Sequence, residues 1–277
     1  MTLTEAYHVS VPTAFYSDES LNTEATIQHI LSLKKTGICS VLLCGSMGEQ
    51  HSLTLIEKLQ LLEAVNKEPQ LTGSFELLFG VSSIRQKEAV LLTKEIEKSP
   101  TVAGILLGFP PYILPSQEEA VQYVQAILQE TTKPVLLYNN PKRTGFDLSI
   151  AAFSELMNHQ KIIGIKEAGD LSRLPEIKKI APKGFFIYAG GEHNLSEKID
   201  MGVNRLSSIS GNLYPLETRD WFIHLLYPKT FIQQTDVNRL RQEIEHLSSV
   251  SPIVYLKNQI TETTGIPMGI CRMPLGN

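Results

Sequence analysis

Along nearly the whole chain, short apolar runs rich in β-branched residues alternate with amphipathic segments, and this repeat limits the possible folds most strongly. Runs with the composition of buried strands lie at Tyr7–Pro12, Ile38–Cys44, Phe75–Val81, Val102–Leu107, Pro134–Asn139, Ile162–Lys166, Phe185–Ala189 and Arg205–Ile209. Helical periodicity fills the gaps, at Glu24–Lys35, Leu55–Lys67, Arg85–Lys98, Gln117–Thr131, Ser149–Met157, Leu171–Ile180 and Glu192–Met201. A further helical segment, Leu216–Leu226, follows the last strand. Thr54 and Ser149 stand just before helical patterns and are expected to cap them. The strand-to-strand interval, about 20 to 37 residues, is that of a βαβ unit.

Apolar strands separated by helices predict a parallel sheet covered on both faces. Eight such units fit a closed (β/α)8 TIM barrel, typically about 250 residues, better than an open doubly wound sheet. Past Tyr227 only helical patterns remain, Thr235–Leu247 and Ser251–Thr264, before a tail rich in Gly and Pro. The expected division is a barrel over residues 1–227 and a short C-terminal helical appendage over 228–277, packed on it.

Of the 277 residues, 42% are hydrophobic and 19% charged, enough apolar mass for a full-sized core. A net charge of -4 argues against a nucleic-acid or anionic-membrane partner, since both need a basic face. Three cysteines, Cys39, Cys44 and Cys271, are too few for a disulfide framework and point to a reducing compartment. Residues Met1 to Ser10 lack the basic and apolar regions of a signal peptide, and no apolar stretch reaches the roughly 18 residues of a membrane span. A soluble, cytoplasmic protein is expected. The histidines are scattered without HxH or HExxH spacing, so no metal is expected. There is no Walker loop, no GxGxxG and no GxSxG elbow.

In a barrel the chemistry gathers at the C-terminal ends of the strands. Lys166 ends the run Ile162-Ile163-Gly164-Ile165. Burial disfavours an ammonium, so a lysine there can titrate low, and a neutral amine can attack a ketone to form a Schiff base. On this stretch alone a lysine reaching into solvent reads equally well. Tyr138 ends the neighbouring strand, within reach of that amine as a proton carrier, although by itself it reads more readily as a packed tyrosine. The loop Gly45-Ser46-Met47-Gly48-Glu49 could present N–H groups to an anion, although a plain tight turn is the simpler reading.

Three stretches together, Gly45–Glu49, Tyr138-Asn139-Asn140-Pro141-Lys142-Arg143-Thr144-Gly145 and Gly164-Ile165-Lys166-Glu167, resemble the dihydrodipicolinate synthase / N-acetylneuraminate lyase family. The resemblance runs from about Val9 to Gly276 and implies a class I, pyruvate-handling aldolase on a (β/α)8 barrel. It implies Lys166 as the Schiff-base lysine, Tyr138 as the catalytic tyrosine, Ser46 as the hydroxyl of a proton relay, and Tyr112 as a relay tyrosine lent by a neighbouring subunit. Arg143 matches the arginine that binds the aldehyde's carboxylate in the synthase branch. Met47 replaces the usual second Thr or Ser, which leaves the pyruvate carboxylate to backbone donors of the loop, Gly48 included. Glu192 is what remains of the acidic pair that binds sugar hydroxyls in the lyase branch, and Ser207 stands where the synthase branch is usually aliphatic. The resemblance therefore implies condensation of pyruvate with an aldehyde, L-aspartate semialdehyde first, with no metal or organic cofactor, in a homodimer or homotetramer. Two alternatives are an aldolase for 2-keto-3-deoxy sugar acids or N-acetylneuraminate, and a catalytically weakened paralogue that binds a small molecule.

Overall fold

The computed structural model describes residues 3–229 and 236–276. Eight parallel strands close into a ring in chain order, with β8 pairing back onto β1. They are β1 (Tyr7–Ser10), β2 (Ser40–Leu43), β3 (Glu76–Val81) and β4 (Val102–Gly108), then β5 (Val135–Asn139), β6 (Ile162–Glu167), β7 (Phe186–Gly190) and β8 (Arg205–Ser208). Helices α1 (Thr23–Lys35), α2 (Leu55–Lys67), α3 (Gln86–Glu97) and α4 (Gln117–Leu128) follow the first four strands in turn. Both α5 (Pro141–Thr144) and α6 (Ile150–Leu156) follow β5, and α7 (Arg173–Ile180), α8 (Leu195–Asp200) and α9 (Pro215–Leu226) follow β6 to β8. Two more helices, α10 (Val237–Ser249) and α11 (Pro252–Thr264), end the chain's regular structure.

The expected closed barrel is the one observed, with differences at element ends. Strands β1, β2 and β8 are shorter than their apolar runs, because Val11 and Cys44 have already left the ladder for the loops. Helix α8 starts late: Asn194 sits in a left-handed conformation (φ 51°) and the chain turns there. The single turn α5 breaks the expected loop after β5, opened by Pro141 and stopped by Gly145 at φ 75°. Thr54 caps α2 in a reciprocal box with Glu57, and the Ser149 hydroxyl accepts from the Ala152 N–H. Thr235, the expected start of α10, lies outside the described residues.

Strand alternation sorts the core into two layers. Val41, Leu43, Leu77, Phe79, Ile105 and Leu107 face the helices and join the large outer cluster. Leu42, Leu78, Leu106, Leu136 and Tyr188 form a separate cluster inside the ring. Among the described residues no helix is long and apolar enough to cross a membrane.

The C-terminal helices are tied to the loop after β2 by buried charge. Lys257 on α11 donates to Glu49 Oε1 at 2.5 Å and to the Ile270 carbonyl at 2.7 Å, and both charged side chains are almost fully excluded from solvent. The other Glu49 oxygen accepts from the Arg272 N–H, and the Arg272 guanidinium pairs with Glu57 on α2. A carboxylate removed from water in this way must keep its partner. Lys257→Met is therefore expected to cost about 3–5 kcal/mol, read by urea unfolding. Adding Glu49→Gln should recover part of that loss, and equal stability of the single variant and the parent would show the pair to be dispensable.

Candidate active site

Lys166 and Glu167 are consecutive on β6, so they point to opposite faces of the sheet. Lys166 pairs in register with Tyr138 on β5 and Tyr188 on β7, so its side chain enters the barrel with theirs. It is 6% exposed, and its Nζ donates to Ser207 Oγ on β8 at 2.8 Å. That nitrogen also lies over the Tyr138 ring, 4.6 Å from the centroid. Burial holds the ammonium below the ordinary lysine value; Tyr138 and Glu192 oppose that effect and Arg143 adds to it. Among the described residues no carboxylate touches Lys166. Glu167, on the outer face, accepts from Asn139 Nδ2 at 2.9 Å and from Arg173 Nε at 3.3 Å. Asn139 also holds Asp147 and the Leu148 N–H, which fastens the loop that carries α5.

Tyr138 is half-buried, with its ring against Lys166 and its hydroxyl turned toward the loops. The hydroxyl accepts from Asn140 Nδ2 at 2.6 Å and lies 3.4 Å from Ser46 Oγ. Burial pushes this phenol up, but Lys166, the Ser46 and Asn140 hydrogen bonds and Arg143 outweigh it, leaving the group below its ordinary value. The Ser46 loop reaches this far because it leans across β3. A Cβ at Gly80 would stand 2.1 Å from the Cys44 carbonyl oxygen, so only glycine permits the approach.

A cavity of 390 Å³ opens at this end of the barrel. Ser46, Tyr138 and Asn140 form its inner wall, Arg143 its rim, and Ile253 and Leu275 from the C-terminal segment its far side. Lys166 lies just behind the Tyr138 ring and does not line it. Cys44 also lines the cavity, but burial pushes its thiol up to about 12, so it offers no thiolate at neutral pH. Among the described residues no group of three or more His, Cys, Asp or Glu side chains is placed to hold a metal ion.

Lys166, Tyr138, Ser46, Arg143 and Ser207 are thus gathered at or beside one cavity. Four other expected residues are not. Met47 was expected at the pyruvate carboxylate, but its side chain is buried among Ile253, Leu256 and Met268, because the loop turns its apolar member toward α11. The Gly48 N–H was expected to bind an anion but donates to the Gly45 carbonyl within the turn. The loop N–H groups left over are those of Gly45, Ser46 and Met47, for which no bond occurs among the described residues. Glu192 was expected at substrate hydroxyls. Its Oε1 instead accepts from the Ser208 and Ser210 hydroxyls and from the Ile209 and Ser210 N–H groups, so it closes the turn after β8. Tyr112 is 87% exposed and lies off the cavity wall. The sequence reading missed Asn140, whose amide holds the Tyr138 hydroxyl; its place two residues after that tyrosine was the available signal. It also missed His8, for which a histidine in an apolar strand was the signal.

The family model described as the dihydrodipicolinate synthetase family matches residues 5–277. The chain is 28% identical over 264 residues to 4-hydroxy-tetrahydrodipicolinate synthase 1 of Halalkalibacterium halodurans, covering 95% of this chain and 88% of that protein. It is 32% identical over 203 residues to 4-hydroxy-tetrahydrodipicolinate synthase of Desulforamulus reducens, covering 73% of this chain and 68% of that one. Among solved structures, the 4-hydroxy-tetrahydrodipicolinate synthase of Methylacidiphilum fumariolicum SolV superposes with a TM-score of 0.85 at 26% identity, over 99% of this chain and 90% of that one.

The surroundings of Lys166 predict its titration. Because burial lowers its affinity for a proton, the neutral amine should appear at lower pH than on the exposed lysines. A ¹⁵N-lysine NMR titration should place the Lys166 midpoint below theirs, and a midpoint shared with the exposed lysines would contradict this account of the site.

Proposed function

Because the chain belongs to the dihydrodipicolinate synthetase family, we propose that it condenses pyruvate with an aldehyde through a Schiff base on Lys166, the aldehyde being L-aspartate semialdehyde. One observation carries this reading: a buried lysine amine, without a carboxylate partner among the described residues, against the ring of a tyrosine whose hydroxyl reaches a cavity. The named synthases among the relatives support the choice of reaction.

The neutral Lys166 amine attacks C2 of pyruvate, forming the C–N bond. A proton passes from nitrogen to the former carbonyl oxygen through the Tyr138 and Ser46 hydroxyls, Tyr138 gives that oxygen a second proton, and as the C–O bond breaks it leaves as water. The iminium then loses a C3 proton to become an enamine, and C3 attacks the aldehyde carbon. Tyr138 suits this traffic because its lowered affinity for protons lets it give and take them. Asn140 fixes its hydroxyl, and the N–H groups of Gly45, Ser46 and Met47 are the donors left for the pyruvate carboxylate. Arg143, exposed at the rim and without an ion-pair partner among the described residues, binds the carboxylate of the aldehyde as a fork. Tyr112 serves the cavity of a second copy, so the working form is a homodimer or homotetramer. No metal or organic cofactor takes part.

Pyruvate with sodium borohydride should add one reduced pyruvoyl mass per chain, on Lys166. Unchanged mass, or an adduct on another lysine, would overturn the mechanism. Coupled assays should then favour L-aspartate semialdehyde over 2-keto-3-deoxy acids, and the reverse preference would move the protein to the sugar-acid branch.

Tyr138→Phe should keep the fold but slow turnover by roughly 10- to 10,000-fold, the range for general acid–base groups. A near-parental rate in a steady-state assay would reduce Tyr138 to a packing residue.

A further inference from the structure

Behind Lys166, on the side of the barrel away from Tyr138, Ser207 and His8 place two buried polar side chains on the inner face of the sheet. Ser207 on β8 is fully buried, and its Oγ is the hydrogen-bond partner of Lys166 Nζ, at 2.8 Å. His8 on β1 is in register with Ser207 across the seam that closes the barrel, so both side chains leave the sheet side by side, on its inner face. His8 is 1% exposed, and among the described residues neither of its ring nitrogens has a partner, although a buried polar atom is costly to leave unpaired. Its ring rests against Tyr188, 5.1 Å between centroids. Burial, and then the charge of Lys166, hold its proton affinity well below the ordinary histidine value, so the ring is neutral. A neutral imidazole keeps one lone pair free to accept.

We propose that Ser207 is the positioning residue for the reacting nitrogen, the acceptor that holds one Lys166 N–H from free amine to iminium, and that His8 acts through it by orienting the serine hydroxyl. A neutral lysine amine has two N–H bonds and one lone pair. With one N–H committed to Ser207 on β8, the lone pair is aimed away from β8, toward the β5 side where Tyr138 stands. Formation of the iminium consumes the other N–H: its proton and a second one from the Tyr138 hydroxyl go to the carbonyl oxygen, the C–N bond forms, the C–O bond breaks and water leaves, and the tyrosinate left behind can take the C3 proton. The remaining N–H stays on Ser207 Oγ and becomes charge-assisted, which makes it stronger than in the free amine. Ser207 therefore favours the imine over its precursor without gaining or losing a proton. The serine's own hydrogen is left free to turn toward His8, one strand away, whose ring nitrogens have no partner among the described residues.

This inference rests on Lys166 being the imine-forming residue, so the test begins with borohydride trapping of the parent protein across pyruvate concentrations. In Ser207→Ala the pyruvate concentration for half-maximal trapping should rise about tenfold or more, the effect of losing one hydrogen bond to a charged group. Ser207→Thr, which restores a hydroxyl, should return it to within about twofold, where the hydrogen bond is regained. His8→Leu should move it in the same direction as Ser207→Ala, and should add nothing in the double variant. Ser207→Cys, nearly isosteric and a weak acceptor, carries the same expectation as Ser207→Ala should that variant not fold. A parent that traps normally, beside a Ser207→Ala that traps equally well, overturns the role of Ser207 and leaves the reaction standing. An additive double variant overturns the role of His8 alone. A parent that does not trap overturns the reaction itself, and this inference with it.

Discussion

Closure of the sheet is the constraint on which the rest of this molecule depends. Pairing β8 onto β1 removes the last free strand edges and leaves an interior that only side chains can fill. It also brings together residues that are far apart in the sequence. Ser207 meets His8 because the ring closes, and Lys166 meets Ser207 because alternation sends both inward. An open sheet of the same strands would leave His8 at one edge and Ser207 at the other.

Within that ring the energetics are deliberately uneven. Leucines from β2, β3, β4 and β5 fill the interior, and the large outer cluster carries most of the apolar burial. The end that bears the cavity instead buries an ammonium and an unpaired imidazole. Such groups cost stability where they sit, and a well-packed barrel offsets the cost elsewhere. The loops at this end are correspondingly over-determined: Asn139 holds the loop with Arg143, Asn140 holds the Tyr138 hydroxyl, and Glu192 gathers the turn after β8. That bracing keeps Tyr138 and Arg143 in place around the cavity.

The barrel was legible because its signal is repeated: eight apolar runs at regular spacing, each needing a helix on its outer face. Lys166 and Tyr138 were legible because each closes such a run, where the barrel puts its chemistry. What the sequence hid depends on direction rather than on residue type. Met47 and Ser46 are neighbours in one loop, yet one faces the α11 cluster and the other faces Tyr138, and no periodicity governs a turn. Glu192 suits a polyol as well as it suits two serine hydroxyls and two N–H groups, and only the fold of the β8 turn decides between them. Asn194 delayed the start of α8, and Pro141 opened the extra turn α5, by local conformation that the apolar pattern does not record.

The tie between Glu49 and Lys257 spans 208 residues, and it sets an order on the making of the site. A chain emerging from the ribosome presents its N-terminal strands first, at about 5–20 residues per second. The Gly45–Glu49 loop is therefore synthesised early, but its glutamate cannot be taken out of water until α11 has been made. Arg272, which pairs with Glu57 and donates to Glu49, is available later still. The loop beside Tyr138 is thus among the last parts of the barrel to become rigid, and a nascent barrel remains without a finished cavity until α11 and Arg272 have been made.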